Sequence, residues 1–247
     1  MFVSASTRCF SDKSLEEACY ILDDLEFDKI ELWMDETQNQ LKPSEVIRDP
    51  EGFCLRLREA TRLTPVALCL DTDIDSQGFK ILTRVCKSLK VAQITLPASK
   101  LGTPFNSEID RLREFYKIAS QDGIRVSITT KIGHLTEDPD TAIELCEAAL
   151  GIGLTLDPSY YLCGPHRGGL YDQVYPHVYH THLRDTTPDQ IQVPVGLGQI
   201  DFSRVISQLE RVKFRGALSV EILPELGDPA ARLIELKKTR LLLESML

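Results

Sequence analysis

Residues 153–157 read GLTLD, residues 178–183 VYHTHL and residues 216–222 GALSVEI. Successive side chains in a strand point to opposite faces, so each stretch can be divided into two sets. Leu154 and Leu156 share one face and leave Thr155 and Asp157 on the other. Leu218 and Val220 pair, leaving Ala217, Ser219 and Glu221, while His180 and His182 lie together. In residues 126–129, Val126 and Ile128 pair against Ser127 and Thr129. Four strands thus aim polar residues from one face at their C-terminal ends, and in three of them the opposite face is apolar. Solvation of an exposed sheet explains this poorly. A parallel barrel explains it, because alternate residues there face the axis and the helix layer.

Working outward, further β-type runs occupy 2–7, 29–34, 65–71, 91–96 and 125–130. Between the strands, apolar residues recur at helical spacing near 13–25, 43–61, 76–89, 106–121, 138–149, 168–176, 201–213 and 228–246. Capping residues open several of these: Asp12 or Ser14, Asp138 before Pro139, and Asp201. Eight alternations of strand and helix predict a (β/α)8 TIM barrel formed as a single domain over residues 1–247. The alternative is an open doubly wound sheet. It is disfavoured by the count of eight and by the lack of a GxGxxG after the first strand.

Composition narrows the function class. With 43% hydrophobic and 26% charged residues the chain reads as an ordinary globular protein. No run approaches the ~20 apolar residues of a membrane helix, and the N-terminus lacks the pattern of a secretory signal. Of seven cysteines, Cys19, Cys54, Cys69, Cys86 and Cys146 fall among apolar residues with no CxxC pair, as expected of reduced thiols in the cytoplasm. A net charge of −9 argues against nucleic acid as a partner.

Candidate chemistry gathers at the late strand ends. Asp157 ends an apolar strand before Pro158, where a turn or helix cap is the plain alternative. His180 and His182 can enter one cavity, or serve as hydrogen-bonded core histidines. Glu221 lies among Ala, Leu, Val and Ile, so its carboxylate needs a metal or a cation as partner. Asp157, His182 and Glu221 form an oxygen-rich set with one imidazole, suited to Mn²⁺, Mg²⁺ or Zn²⁺. Glu31 faces the mouth or pairs with a buried base. Arg184 and Asp185 read as a structural pair. The CGPHRGG loop at 163–169 and the LPASKLGTP segment around Lys100 are candidate lid material.

GLTLDPSYY resembles the "lDpsH" segment of the xylose isomerase-like superfamily, which holds sugar phosphate isomerases and epimerases and the AP endonucleases of the family 2 type. YHTHLRD is similar to its "vHvHlkD", PVGLGQIDFSRVISQL to its "pGeGdidf…iL", and GALSVEI to its "G.lsvE". SLEEACYILDDLEFDKIELW resembles "leeal…laelGfdgvEl", so the resemblance spans nearly the whole chain. It implies a divalent metal held by Glu, Asp, His and Glu on strands five to eight. Asp157, His182 and Glu221 match three of these positions. At the fourth, Thr129 replaces the carboxylate, and Tyr160 stands where a histidine is expected. Epimerases of the family use two opposed glutamates, and only Glu221 remains here.

The leading expectation is a metal-dependent isomerase or epimerase for a small polyhydroxylated substrate (sugar, sugar phosphate or inositol). Glu221 and His182 are the catalytic candidates, and Lys131, Tyr160, Arg184 and His180 the substrate-binding ones. Metal is expected to be held weakly or not at all without the carboxylate at 129, and Thr129→Glu is expected to strengthen it. Lys131 shares the parity of Thr129 and either occupies the vacated space or, the stronger expectation, reaches solvent. A barrel that binds a ligand without turnover is the alternative, and an AP endonuclease is disfavoured by the acidic charge and by only five histidines. The apolar C-terminal helix, with Leu233, Leu236, Leu241, Leu243 and Met246, packs on the barrel or on a second copy in a homo-oligomer.

Overall fold

The computed structural model describes residues 1–226 and 229–247. Strands β1 (Phe2–Ser6), β2 (Lys29–Met34), β3 (Thr64–Leu70), β4 (Gln93–Pro97), β5 (Arg125–Thr129), β6 (Ile152–Leu156) and β7 (Val178–Leu183) are joined by a short β8 (Asp185–Thr187), β9 (Gln190–Val193) and finally β10 (Ala217–Val220). Seven of these and β10 close a barrel in the order β1-β10-β7-β6-β5-β4-β3-β2. Every pairing in it is parallel. The expected (β/α)8 barrel is therefore the fold. Strands β8 and β9 form a separate antiparallel hairpin beside it.

The helices are α1 (Leu15–Asp24), α2 (Pro43–Arg48), α3 (Pro50–Ala60), α4 (Ser76–Leu89), α5 (Phe105–Ser120), α6 (Pro139–Ala148), α7 (Pro158–Cys163), α8 (Phe202–Arg211) and α9 (Pro229–Glu244). Their starts are set locally. Ser14 and Glu17 form a reciprocal capping box on α1, and Asp75, Asp138 and Asp201 cap α4, α6 and α8 through backbone N–H groups. The single helix expected over 43–61 is two, because Asp49 leaves helical geometry ahead of Pro50 and caps α3 itself. The helix expected over 168–176 is a 3-10 turn at Asp172–His177, and the true helix after β6 is α7. Position 228, the expected start of the last helix, lies outside the described residues.

Leu, Ile and Val from the outward faces of the strands pack under the helices, as with Leu68, Ile94, Ile128, Leu154 and Leu218. The axis is different. In many barrels of this type it is filled by bulky branched side chains. Here Thr95 and Thr155 hydroxyls lie 2.8 Å apart, Ser127 and Thr155 2.6 Å apart, and Gln93 Nε2 donates to Ser127 at 2.6 Å. Ser4 sits opposite Ser219, and Ser219 opposite His182. A polar axis leads up to the C-terminal mouth, which explains the alternation read in the late strands. No helix among the described residues is long and apolar enough to cross a membrane. On α9, Leu236 and Leu243 are buried against the barrel, while Leu233 and Leu241 are exposed.

Candidate active site

The mouth is built by residues at or just past the strand ends. Asp157 follows β6, His182 and Arg184 come from the end of β7, and Glu221 follows β10. Ligand-type atoms of Asp157, His182 and Glu221 all lie within 4.8 Å of one another. Thr130 Oγ1 accepts from the Asp157 backbone N–H at 2.8 Å and fixes the point at which the chain turns into α7. Asp157 also caps that helix by accepting from the Ser159 N–H at 3.0 Å. The cap and the site reading of Asp157 therefore coexist, one on each carboxylate oxygen.

The second oxygen of Asp157 is paired with Arg184 Nη2. Arg184 Nη1 donates to Glu221 Oε2 at 3.0 Å and Nε to Ser159 Oγ at 3.1 Å. The guanidinium is 1% exposed and lies 5.4 Å from the centre of the Tyr160 ring. The structural pair expected between Arg184 and Asp185 does not form, because the two side chains leave β7 on opposite sides. Asp185 instead accepts from the backbone N–H groups of Gly196 and Gly198 and shapes the following loop.

A second arginine, which sequence reasoning missed, closes the top. Arg8 Nη1 lies 3.5 Å from Glu221 Oε1, and Nη2 lies 3.6 Å from Asp71 and 3.9 Å from Glu225. Its guanidinium also sits 5.2 Å from the Trp33 ring centre. Lys131 does not run free into solvent: its Nζ donates to Asp71 Oδ1 at 2.6 Å. Burial alone would raise the Glu221 carboxyl, but His182, Arg8 and Arg184 outweigh it and hold it down at about 2. A signal for Asp71 was available, since PVALCLD ends in aspartate as GLTLD does. Arg8 likewise follows the first strand directly.

Beneath these groups, His182 Nε2 lies 2.9 Å from Glu31 Oε2, and Nδ1 3.7 Å from Glu221 Oε2. One imidazole thus spans two buried carboxylates. Burial would lower its pKa, yet Glu221 and Glu31 raise it well above the ordinary histidine value. His180 pairs with the same oxygen of Glu31, a layer deeper, and does not reach the mouth. Burial lowers its pKa despite that contact. Of the substrate-binding candidates, then, Tyr160, Arg184 and Lys131 gather at the mouth and His180 does not. The 163–169 loop also lies apart, with His166 near Asp138 and Arg167 near Asp189.

The ligand atoms that a divalent ion needs converge, but the arrangement does not fit one. Both oxygens of Glu221 and the free oxygen of Asp157 are already bound by guanidinium groups. Thr129 brings no carboxylate, and its hydroxyl donates to the Leu96 carbonyl at 3.4 Å. A cation entering this space would face Arg184 directly, at a cost that low dielectric magnifies. Open space lies beside it. A cleft of about 550 Å³ is lined by Arg8, Trp33, Asp35, Gln38 and Glu225 among others, at the ends of strands β1, β2 and β10.

Comparisons with known proteins agree with this architecture. A "Xylose isomerase domain protein" from Alicyclobacillus acidocaldarius superposes with a TM-score of 0.77 at 17% identity, covering 100% of this chain and 98% of that one. The 3-keto-D-glucoside 4-epimerase YcjR from E. coli gives 0.74 at 15% identity, with coverage of 98% and 99%. The D-allulose 3-epimerase from Methylomonas sp. gives 0.71 at 14%, with coverage of 97% and 98%. Such identities establish the shared fold. No curated protein matches the sequence. The model of the xylose isomerase-like TIM barrel family matches residues 20–239, and the chain belongs to that family.

Proposed function

We propose that this protein is an isomerase- or epimerase-type enzyme acting on a small polyhydroxylated substrate, such as a sugar, sugar phosphate or inositol derivative. The observation that carries this reading is the continuity between cleft and buried acid. Arg8 lines the cleft and holds Glu221 Oε1 at 3.5 Å. Asp35, Gln38 and Glu225 line the opening beside Arg8, and Asp71, paired with Arg8 and Lys131, stands next to it, offering the donors and acceptors that recognition of several hydroxyl groups requires. An entering hydroxyl or carbonyl that draws Arg8 away would leave Glu221 facing the substrate as the proton-transfer group. His182, held protonated between two carboxylates, would keep Glu221 ionised and fix its orientation. The sugar epimerases that share the fold favour a substrate of this class. A net charge of −9 disfavours nucleic acid, and seven free thiols suit the reducing cytoplasm.

A second reading is favoured by one observation: the second opposed carboxylate of the family is Thr129 here. On that reading the barrel binds a ligand at the same cleft without turnover. Incubation with a panel of ketoses, aldoses, inososes and their phosphates in D2O separates the two. Deuterium appearing at the carbon beside the carbonyl, and lost in Glu221→Gln, supports the enzyme. Saturable binding without exchange supports the binder, and neither exchange nor binding across the panel defeats both.

A further inference from the structure

We propose that the guanidinium of Arg184 is the resident cation of this mouth, standing among Asp157, His182 and Glu221 in place of a divalent ion. The inference concerns how the site is neutralised and is independent of whether it turns over a substrate. The first support is an inventory of lone pairs. Asp157 Oδ1 accepts from Ser159 and Oδ2 from Arg184. Glu221 Oε1 faces Arg8, Oε2 accepts from Arg184, and His182 Nε2 is engaged by Glu31. The oxygens that an ion would use are therefore those the guanidinium uses.

The second support is burial. Arg184 is 1% exposed, and a guanidinium so deep is tolerable only because two carboxylates compensate it. An incoming divalent ion would take both carboxylates and leave Arg184 charged and unpaired, or else displace it from its seat against Tyr160 and Ser159. The third is the charge balance. Thr129 brings no negative charge to the ring at the same mouth where Arg184 and Arg8 supply two positive ones. With Arg184 and Arg8 paired to Asp157 and Glu221, the charges of the mouth are balanced without metal. The guanidinium also differs in kind from an ion. Its N–H groups can polarise an oxygen by hydrogen bonding, and it offers no coordination position.

The test uses the full chain purified without chelators. Metal content is measured directly, and melting temperature is recorded against Mn²⁺, Mg²⁺ and Zn²⁺ for the native protein and for Arg184→Met. The native protein should carry far less than one ion per chain and its midpoint should not move. Arg184→Met keeps the bulk and removes the charge. It should melt lower without metal and rise with Mn²⁺, its affinity roughly ten- to a hundred-fold above native. A stoichiometric ion in the native protein that disappears in Glu221→Gln overturns the proposal. So does a Mn²⁺ shift in native protein equal to that of the variant, or a folded Arg184→Met that ignores every ion. If Arg184→Met does not fold, Arg184→Gln, which also removes the charge but keeps a hydrogen-bonding side chain, is titrated in its place and read by the same outcomes.

Discussion

Arg184 and Glu221, side by side at the ends of β7 and β10, meet with Nη1 3.0 Å from Oε2, and each is only 1% exposed. A contact so deep cannot be broken on one side without leaving the other charge stranded. Glu221→Gln keeps the shape and removes the charge that faces Arg184, Arg8 and His182. The expected loss is about 3–5 kcal/mol of folding stability, read from urea or guanidinium unfolding. Under the proposed function the variant also loses deuterium exchange into substrate. An unfolding midpoint equal to the native one would show that Glu221 contributes nothing to the network.

Acid should weaken a second network, between the segment after β4 and helix α5. Glu108 on α5 accepts from the Ser99 N–H at 3.0 Å and forms a fork with Arg111, whose Nε and Nη2 lie 2.7 Å and 2.8 Å from its oxygens. Burial would raise the Glu108 carboxyl, but Arg111 and Ser99 pull it below the ordinary value. A depressed folded-state pKa contributes stability that is present above the unfolded value, about 4.3, and lost as pH falls through the folded one. Glu108→Gln should cost roughly 1.5–3 kcal/mol at neutral pH, and the gap to native should shrink below pH ~4. A gap independent of pH would refute the ionic origin.

How far the chain could be read ahead of its structure follows from what local sequence encodes. Strand and helix positions were legible because the helix-facing residues are apolar at fixed spacing. The convergence of Asp157, His182 and Glu221 was legible because parity and strand order fix it in a closed barrel. What failed was pairing. Nothing in HLRD says that Arg184 turns to Asp157, 27 residues back, and Asp185 to the loop ahead. Lys131 reaching Asp71 is a choice made across the barrel, 60 residues apart. The break at Asp49, by contrast, had a local signal in Pro50. The lid role expected around Lys100 is opposed by the Glu108 anchor at Ser99 and by the bridge from Lys100 to His134.

Thiol chemistry offers an independent check of the packing. Burial pushes Cys9, Cys69, Cys86 and Cys146 up to about 12, so almost none is thiolate at neutral pH. Cys163, the last residue of α7, is the one cysteine of seven that is not buried. A disulfide reagent should therefore label no more than one thiol quickly in the native protein and seven after denaturation. Rapid native labelling of a second would mean that the helix layer opens more readily than its packing implies.

Thr129→Glu separates two accounts of the mouth. By strand alternation Thr129 shares its side with Ser127, whose hydroxyl meets Thr155 on the axis at 2.6 Å. If a missing carboxylate were the whole obstacle, the single substitution would create a metal site. With Arg184 still bound to Asp157 and Glu221, the introduced acid has no ion to share and adds only repulsion or a further partner for the guanidinium. The single variant should therefore show no rise in melting temperature with Mn²⁺. Thr129→Glu with Arg184→Met should respond most strongly of all. Binding to the folded state adds RT ln(1 + [L]/Kd), about 2.7 kcal/mol at a hundred times Kd. In a chain of this size that is roughly 5–10 °C. A full Mn²⁺ response in the single variant would show that Arg184 does not compete for the place, and the deficit would then lie with Thr129 alone.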